Sequence, residues 1–236
     1  MAIIEANQIG KTYRSGKLEV PALRDATFAI EAGEFVTIVG PSGSGKSTLF
    51  YILGGLTSLT AGSLRVGGQD FSRLSDVELT RFRRTHIGFI FQRFNLLPTL
   101  SARDNITLAH TIAATGKPFD HALLDKLSGL LGIRGRLDHR PNELSGGEQQ
   151  RIAIARALIT RPSIVLADEP TGNLDTENSE AVLTMLRDSS RELNQTVLMI
   201  THNPEAAAVA DRTLSMRDGR MLRADAVQGR AAAAAL

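Results

Sequence analysis

The sequence predicts an α/β protein. It should have a parallel-sheet core, an N-terminal antiparallel β subdomain and a helical subdomain inserted between core strands. Short apolar, β-branched runs lead there first. Phe-Val-Thr-Ile-Val at 35–39 has the continuous hydrophobicity of a strand buried on both faces, and similar runs recur at 87–91, 163–167 and 196–200. Residues 3–10 and 22–31 instead alternate apolar and polar, as half-buried antiparallel strands do. Residues from about 96 to 158 are mostly helical in pattern, with breaks near Gly116-Lys117-Pro118 and Arg140-Pro141-Asn142.

Between the two N-terminal strands lies Lys11-Thr12-Tyr13-Arg14-Ser15-Gly16. After the 35–39 run comes Gly40-Pro41-Ser42-Gly43-Ser44-Gly45-Lys46-Ser47-Thr48, then residues 49–56 with apolar positions at helical spacing. Strand, glycine loop and helix together make a phosphate site. The glycines let the backbone approach a ligand closely. Their N–H groups form a nest, and the helix start adds partial positive charge. Lys46 can reach the β- and γ-phosphates of a nucleotide, and the Ser47 hydroxyl can ligand Mg²⁺.

Residues 61–70 read as a hairpin arm with a Gly-Gly turn. Residues 74–84 form a polar helix whose Arg81, Arg83 and Arg84 make a solvated face or a contact with a partner or lipid head groups. The strand at 87–91 ends at Gln92. Phe94, Leu96, Leu97 and Leu100 follow, suited either to a groove receiving a helix or to the core of the helical subdomain.

Leu144-Ser145-Gly146-Gly147-Glu148 opens a helix through residue 159. Ser145 and Glu148 make a capping box, and the glycines leave the first N–H groups bare, so this is a second anion-binding helix start. The run at 163–167 ends in Asp168-Glu169-Pro170, which puts two carboxylates at the carboxyl edge where α/β sheets bind ligands. Asp168 suits a water-mediated hold on Mg²⁺, and Glu169 is placed to polarise an attacking water. Thr171-Gly172-Asn173-Leu174-Asp175 precedes a helix over 176–193. The strand at 196–200 ends at Thr201-His202, and 214–222 forms a final hairpin turning at Asp218-Gly219.

Composition narrows the class. The chain has 236 residues, 42% apolar and 22% charged, with a net charge of +2, which gives no argument for nucleic acid. It has no cysteine, which excludes a disulfide framework or a cysteine zinc site. No window approaches the run of about 18 apolar residues that a spanning helix needs, and the N-terminus does not read as a signal peptide. The expected location is cytoplasmic, free or held to the inner face of a membrane by a partner.

Taken in order, these motifs resemble the ATP-binding subunits of ABC transporters over roughly residues 2–222. Glu148 stands where the commonest form of their signature, LSGGQ, has Gln. The resemblance implies a P-loop NTPase (RecA-like) core and one nucleotide-binding domain over 2–222. Residues 2–95 and 159–222 would be the core with its β subdomain and 96–158 the helical subdomain, leaving an alanine-rich tail at 223–236.

It implies ATP and Mg²⁺ as cofactors, with Ser47, Gln92 and Asp168 toward the metal. Glu169 would be the general base, with Lys46, Gln92 and His202 beside it at the reacting phosphate. Tyr13 would stack on adenine or, read without the family, cover the sheet edge. Asp175 would lie at the dimer interface. Two copies would face head to tail, each ATP lying between residues 40–48 of one copy and Ser145, Gly146, Gly147 and Glu148 of the other.

Phe82-Arg83-Arg84, residues 87–92 and residues 95–100 look like the lipoprotein-releasing and macrolide-exporter group, as does 167–175. That group implies an integral membrane permease with few spans and a large extracytoplasmic domain. It also implies a place at the cytoplasmic face of the inner membrane and export or extraction of lipoprotein, peptide, lipid or drug. A cell-division-type subunit is the alternative within the family. A non-transport ATPase acting on DNA or ribosomes is the alternative outside transport.

Overall fold

The computed structural model describes residues 1–16 and 18–222; the alanine-rich tail lies outside them. β1 (Ala2–Ser15) and β2 (Leu18–Glu31) form one long antiparallel hairpin, from Ala2 opposite Glu31 to Ser15 opposite Leu18. The polar stretch expected to separate two shorter strands is therefore itself strand. Its backbone groups are paired across the hairpin, and its side chains are polar whether buried, as Lys11 is, or exposed, as Arg14 is, so no apolar alternation marks it.

β3 (Phe35–Val39) leads into α1 (Lys46–Leu53), which stops at Gly54, whose N–H reaches the Phe50 carbonyl. β4 (Ala61–Val66) pairs with β1, and β5 (Gln69–Asp70) turns back on β4, completing a four-stranded sheet in the order β2-β1-β4-β5. α2 (Asp76–His86) begins with a full capping box between Ser75 and Glu78 and runs directly into β6 (Ile87–Ile90). Then come α3 (Ala102–Ala113), α4 (His121–Leu130) and α5 (Gly146–Leu158). The chain returns to the sheet through β7 (Ile164–Asp168), α6 (Thr176–Glu192) and β8 (Thr196–Thr201). α7 (Pro204–Ala207), β9 (Arg212–Arg217) and β10 (Arg220–Leu222) close the described chain.

The second sheet has the order β10-β9-β3-β8-β7-β6, with every pair parallel except β9 with β10. β3, β6, β7 and β8 are mostly apolar because both their faces are covered, whereas β9 and β10 at the edge carry arginines. Ile164, Leu166, Leu198 and Ile200 join Ile4, Ile38, Phe50 and Leu64 in a core toward the four-stranded sheet and α1. Val165, Ala167, Val197 and Met199 point the other way and pack with Ile106, Leu127, Ile152 and Leu158 from the helices. The alternation that marks a one-sided strand is thus replaced by two interleaved apolar sets.

Candidate nucleotide site

Parallel register gathers the motifs on one edge. Val39 lies opposite Thr201, Asp168 opposite Ile200 and Ala167 opposite Ile90. The chain therefore leaves the sheet at Gly40, His202, Glu169 and, just past Ile90, Gln92, side by side.

At Gly40 a Cβ would lie 2.1 Å from the Met216 carbonyl oxygen, so no side chain fits. Gly45, with φ of 99°, would put one 2.5 Å from the Ala22 carbonyl oxygen. The loop is thus wedged against β2 and β9, and its outer rim (Pro41, Ser42, Gly43, Ser47) is exposed while Thr48 is half-buried. Lys46 starts α1 and is buried; its ammonium donates to the Gly40 carbonyl at 2.7 Å, the Pro41 carbonyl at 2.9 Å and the Ser44 hydroxyl at 3.5 Å. Burial holds its pKa below the ordinary lysine value, against the opposing pull of Glu169 and Asp168. Burial, and then the charge of Glu169, push the Asp168 carboxyl upward, with Lys46 pulling it back. These mutual effects place an ammonium and two carboxylates within electrostatic reach of one another.

Glu169 adopts φ of 44°, unusual outside glycine. Its N–H donates to the Ile200 carbonyl at 2.9 Å, and its own carbonyl accepts from the Gly172 N–H at 3.0 Å, so the backbone is fixed from both sides. This turn aims the carboxylate at His202, whose Nδ1 lies 2.7 Å from Glu169 Oε1. Gln92 is half-buried beside the same turn. Its carbonyl accepts from Asn173 Nδ2 at 2.9 Å, and a Cβ on Gly172 would meet its amide nitrogen at 2.6 Å.

Tyr13 lies on β1, two residues beyond Lys11, which pairs with Leu23 next to the Ala22 carbonyl that wedges Gly45. The ring is 42% exposed, with the Lys11 ammonium 5.2 Å from its centroid. The ring is therefore partly open to solvent, with a cation over one of its faces.

Ser145 caps α5. Its hydroxyl accepts from the Glu148 N–H at 3.2 Å, and Glu148 Oε2 accepts from the Ser145 N–H at 2.8 Å. Gly146 packs against Leu174 and Phe94, and a Cβ on Gly147 would meet Asn178 Oδ1 at 2.6 Å. These neighbours belong to the Gln92 segment and the start of α6, not to residues 40–48. Asp175 caps α6; its carboxylate takes the Asn178 backbone and side-chain N–H groups, which hold its pKa low.

The residues after Gln92 divide between the two expected roles. Leu96 packs on the helical core, whereas Leu97, 45% exposed, lines an open groove of about 450 Å³ with Phe89, Phe91, Ile112 and Arg156. Arg83 is not simply solvated: it donates to the Gly55 carbonyl and to Thr80 Oγ1. Sequence reasoning did not single out Arg156, whose guanidinium takes the Phe94 and Asn95 carbonyls, or buried Asn105, which stitches together Leu97, Leu100 and Ser101. A cation on a helix, or an asparagine in one, carries no local mark of such bonds.

The donors fit a Mg²⁺ shared with phosphates. Ser47, Asp168 and Gln92 offer hard oxygens, few in number, as that ion needs when substrate supplies the rest. Among the described residues, no group of three or more His, Cys, Asp or Glu side chains is gathered to hold an ion alone.

A family model described as "ABC transporter" matches residues 23–172. The chain is 48% identical over 219 residues to the "Macrolide export ATP-binding/permease protein MacB" of Rhodopirellula baltica, covering 92% of this chain and 32% of that one. It is 44% identical over 222 residues to the protein of the same name from Neisseria meningitidis serogroup B, covering 94% and 34%. The chain thus spans about a third of the length of the curated relatives it matches.

Among solved structures, MJ0796, titled "a Bacterial ABC Transporter Cassette" and solved as a dimer, is 38% identical with a TM-score of 0.83, covering 93% of this chain and 97% of that one. The same cassette in a dimeric post-hydrolysis state bound to ADP and Pi gives a TM-score of 0.82 at 38% identity, with the same coverage. CbiO1 from Clostridium perfringens gives 0.81 at 26% identity, covering 94% and 87%. With its phosphate loop, carboxylate pair and signature helix on this fold, the chain belongs to the ABC transporter family and is an ATPase domain of it.

Proposed function

We propose that the chain binds ATP at residues 40–48 and hydrolyses it when a second copy closes on it head to tail. Lys46 and the loop N–H groups hold the β- and γ-phosphates, and Tyr13 stacks on the adenine. Mg²⁺, held by Ser47, Asp168 and Gln92, would offset charge on those phosphates. Glu169 orients the attacking water and takes its proton, while His202 steadies the Glu169 carboxylate and faces the γ-phosphate. Ser145 to Glu148 of the second copy complete the wrapping, and Asp175 lies at the seam. Closure is favoured because ATP binds the paired state better than the open one, and hydrolysis removes that preference.

The division into a core (2–95, 159–222) and a helical subdomain (96–158) belongs to this reading. The wider function is export or extraction of lipoprotein, peptide, lipid or drug through a membrane permease with few spans and a large extracytoplasmic domain. The names of the MacB relatives, which join ATP-binding and permease parts, support it, as does the apolar groove at Leu97. Among the described residues no helix is long and apolar enough to cross a membrane, so a place at the cytoplasmic face of the inner membrane would come through that permease.

The observation that carries the reading is the Glu169–His202 pair at 2.7 Å, beside Lys46 and Asp168. Glu169→Gln should keep ATP binding but lower turnover about a hundredfold or more. Turnover close to wild type would remove Glu169 from the base role.

A further inference from the structure

The start of α5 combines two opposed electrostatic features. Gly146 and Gly147 open the helix, where backbone N–H groups have no partner within the helix and favour an anion, yet Glu148 brings a carboxylate into the same turn. That carboxylate is turned inward and engaged at both oxygens. Oε2 accepts the Ser145 N–H at 2.8 Å, and Oε1 accepts Arg136 Nε at 2.6 Å. Arg136 comes from the 3₁₀ turn Arg134–Arg136, so its contact with Glu148 ties that turn to the signature. The pair is half in water: the Glu148 side chain is 17% exposed and that of Arg136 47%. Arg136 is the largest influence holding the Glu148 carboxyl below its usual pKa, followed by Ser145.

We propose that Arg136 is a positioning residue for the nucleotide of the opposite copy, cancelling the Glu148 charge so that the signature turn can receive a γ-phosphate. A Gln at this position, able to cap in the same way, would carry no charge to cancel. Glu therefore creates a need for Arg136 that Gln removes. The inference rests on the head-to-tail reading above. It also assigns the acidic letter of LSGGE a consequence: assembly of the pair, not ATP capture by one copy, depends on a cation outside the motif.

The test uses the full chain carrying Glu169→Gln, with ATP and Mg²⁺. Sedimentation reads dimerisation, and titration with a fluorescent ATP analogue reads binding to the single copy. Arg136→Gln should weaken ATP-dependent dimerisation about three- to tenfold, the size of one unbalanced charge near a phosphate in a half-solvated site. ATP affinity of the single copy should hold. Adding Glu148→Gln to Arg136→Gln should restore dimerisation, and Arg136→Lys should keep it.

If Arg136 were only a structural latch, the double variant would stay as weak as Arg136→Gln, and that result overturns the proposal. So does full dimerisation by Arg136→Gln alone. Should Arg136→Gln fail to fold, Arg136→Lys decides: dimerisation like the parent supports the charge role, and a tenfold loss overturns it. A Glu169→Gln parent that never pairs with ATP removes the head-to-tail reading itself, a failure visible before any Arg136 variant is made.

Discussion

Gly45 and Gly43 offer a matched pair for testing how the phosphate loop is built. Both have positive φ, 99° and 78°, so alanine at either position meets a backbone penalty of about 1–2 kcal/mol. Their surroundings differ. A Cβ at Gly43 would have nothing within 4 Å, whereas at Gly45 it would lie 2.5 Å from the Ala22 carbonyl oxygen and 2.9 Å from Met216 Cε. The methionine can swing aside; the carbonyl belongs to β2 and cannot. Forcing it adds about 1–3 kcal/mol. Gly45→Ala should therefore cost about 2–5 kcal/mol against about 1–2 for Gly43→Ala, a large share of the stability of a typical domain. Urea unfolding read by circular dichroism gives both values. Gly45→Ala should also shift Lys46, the next residue, and weaken ATP binding more than Gly43→Ala. Equal costs for the two variants would refute the wedge against β2.

Lys46→Ala should weaken ATP binding about ten- to a hundredfold, the worth of a charge-assisted hydrogen bond to phosphate, by titration calorimetry; unchanged affinity would contradict the phosphate-loop reading. Asn105→Ala should cost about 2–4 kcal/mol by removing the side chain that, among the described residues, bonds Leu97, Leu100 and Ser101 together, yet leave ATP affinity in place because those bonds lie under the groove. Glu148 sets a pH expectation. Its folded carboxyl is held low by Arg136 and Ser145, so the unfolded chain takes up the proton first. Its contribution is complete above about pH 4.3 and is lost as pH falls through the folded value. Glu148→Gln should flatten that acid limb in pH-dependent melts; an unaltered limb would count against the Arg136 pairing.

What could be read from the sequence depended on how local its cause was. The strand ends at Val39, Asp168 and Thr201 were legible because strands buried on both faces must be apolar without a break, and the chemistry begins where the run stops. The glycine loop was legible because only glycine tolerates the contact found at Gly40 and the φ and contact found at Gly45. Residues 11–14 hid their strand character, since the hairpin pairs their backbone while their side chains show no apolar alternation. The apolar residues after Gln92 were ambiguous because Leu96 and Leu97, adjacent in sequence, face core and groove respectively. Arg136, Arg156 and Asn105 were missed for one reason: their partners lie 4 to 62 residues away, and a polar side chain reads the same whether it meets water or a carbonyl.

The central claim is that two copies close head to tail on ATP, residues 40–48 of one meeting Ser145 to Glu148 of the other. The chain has no cysteine, so single thiols can be introduced cleanly. Ser42 and Ser145 are both exposed. Chains carrying Ser42→Cys and chains carrying Ser145→Cys, each with Glu169→Gln, would be mixed and treated with a short thiol cross-linker. The account predicts a mixed cross-linked dimer with ATP and none with ADP. Failure of ATP to produce the mixed dimer, or cross-links only between identical chains, would contradict it.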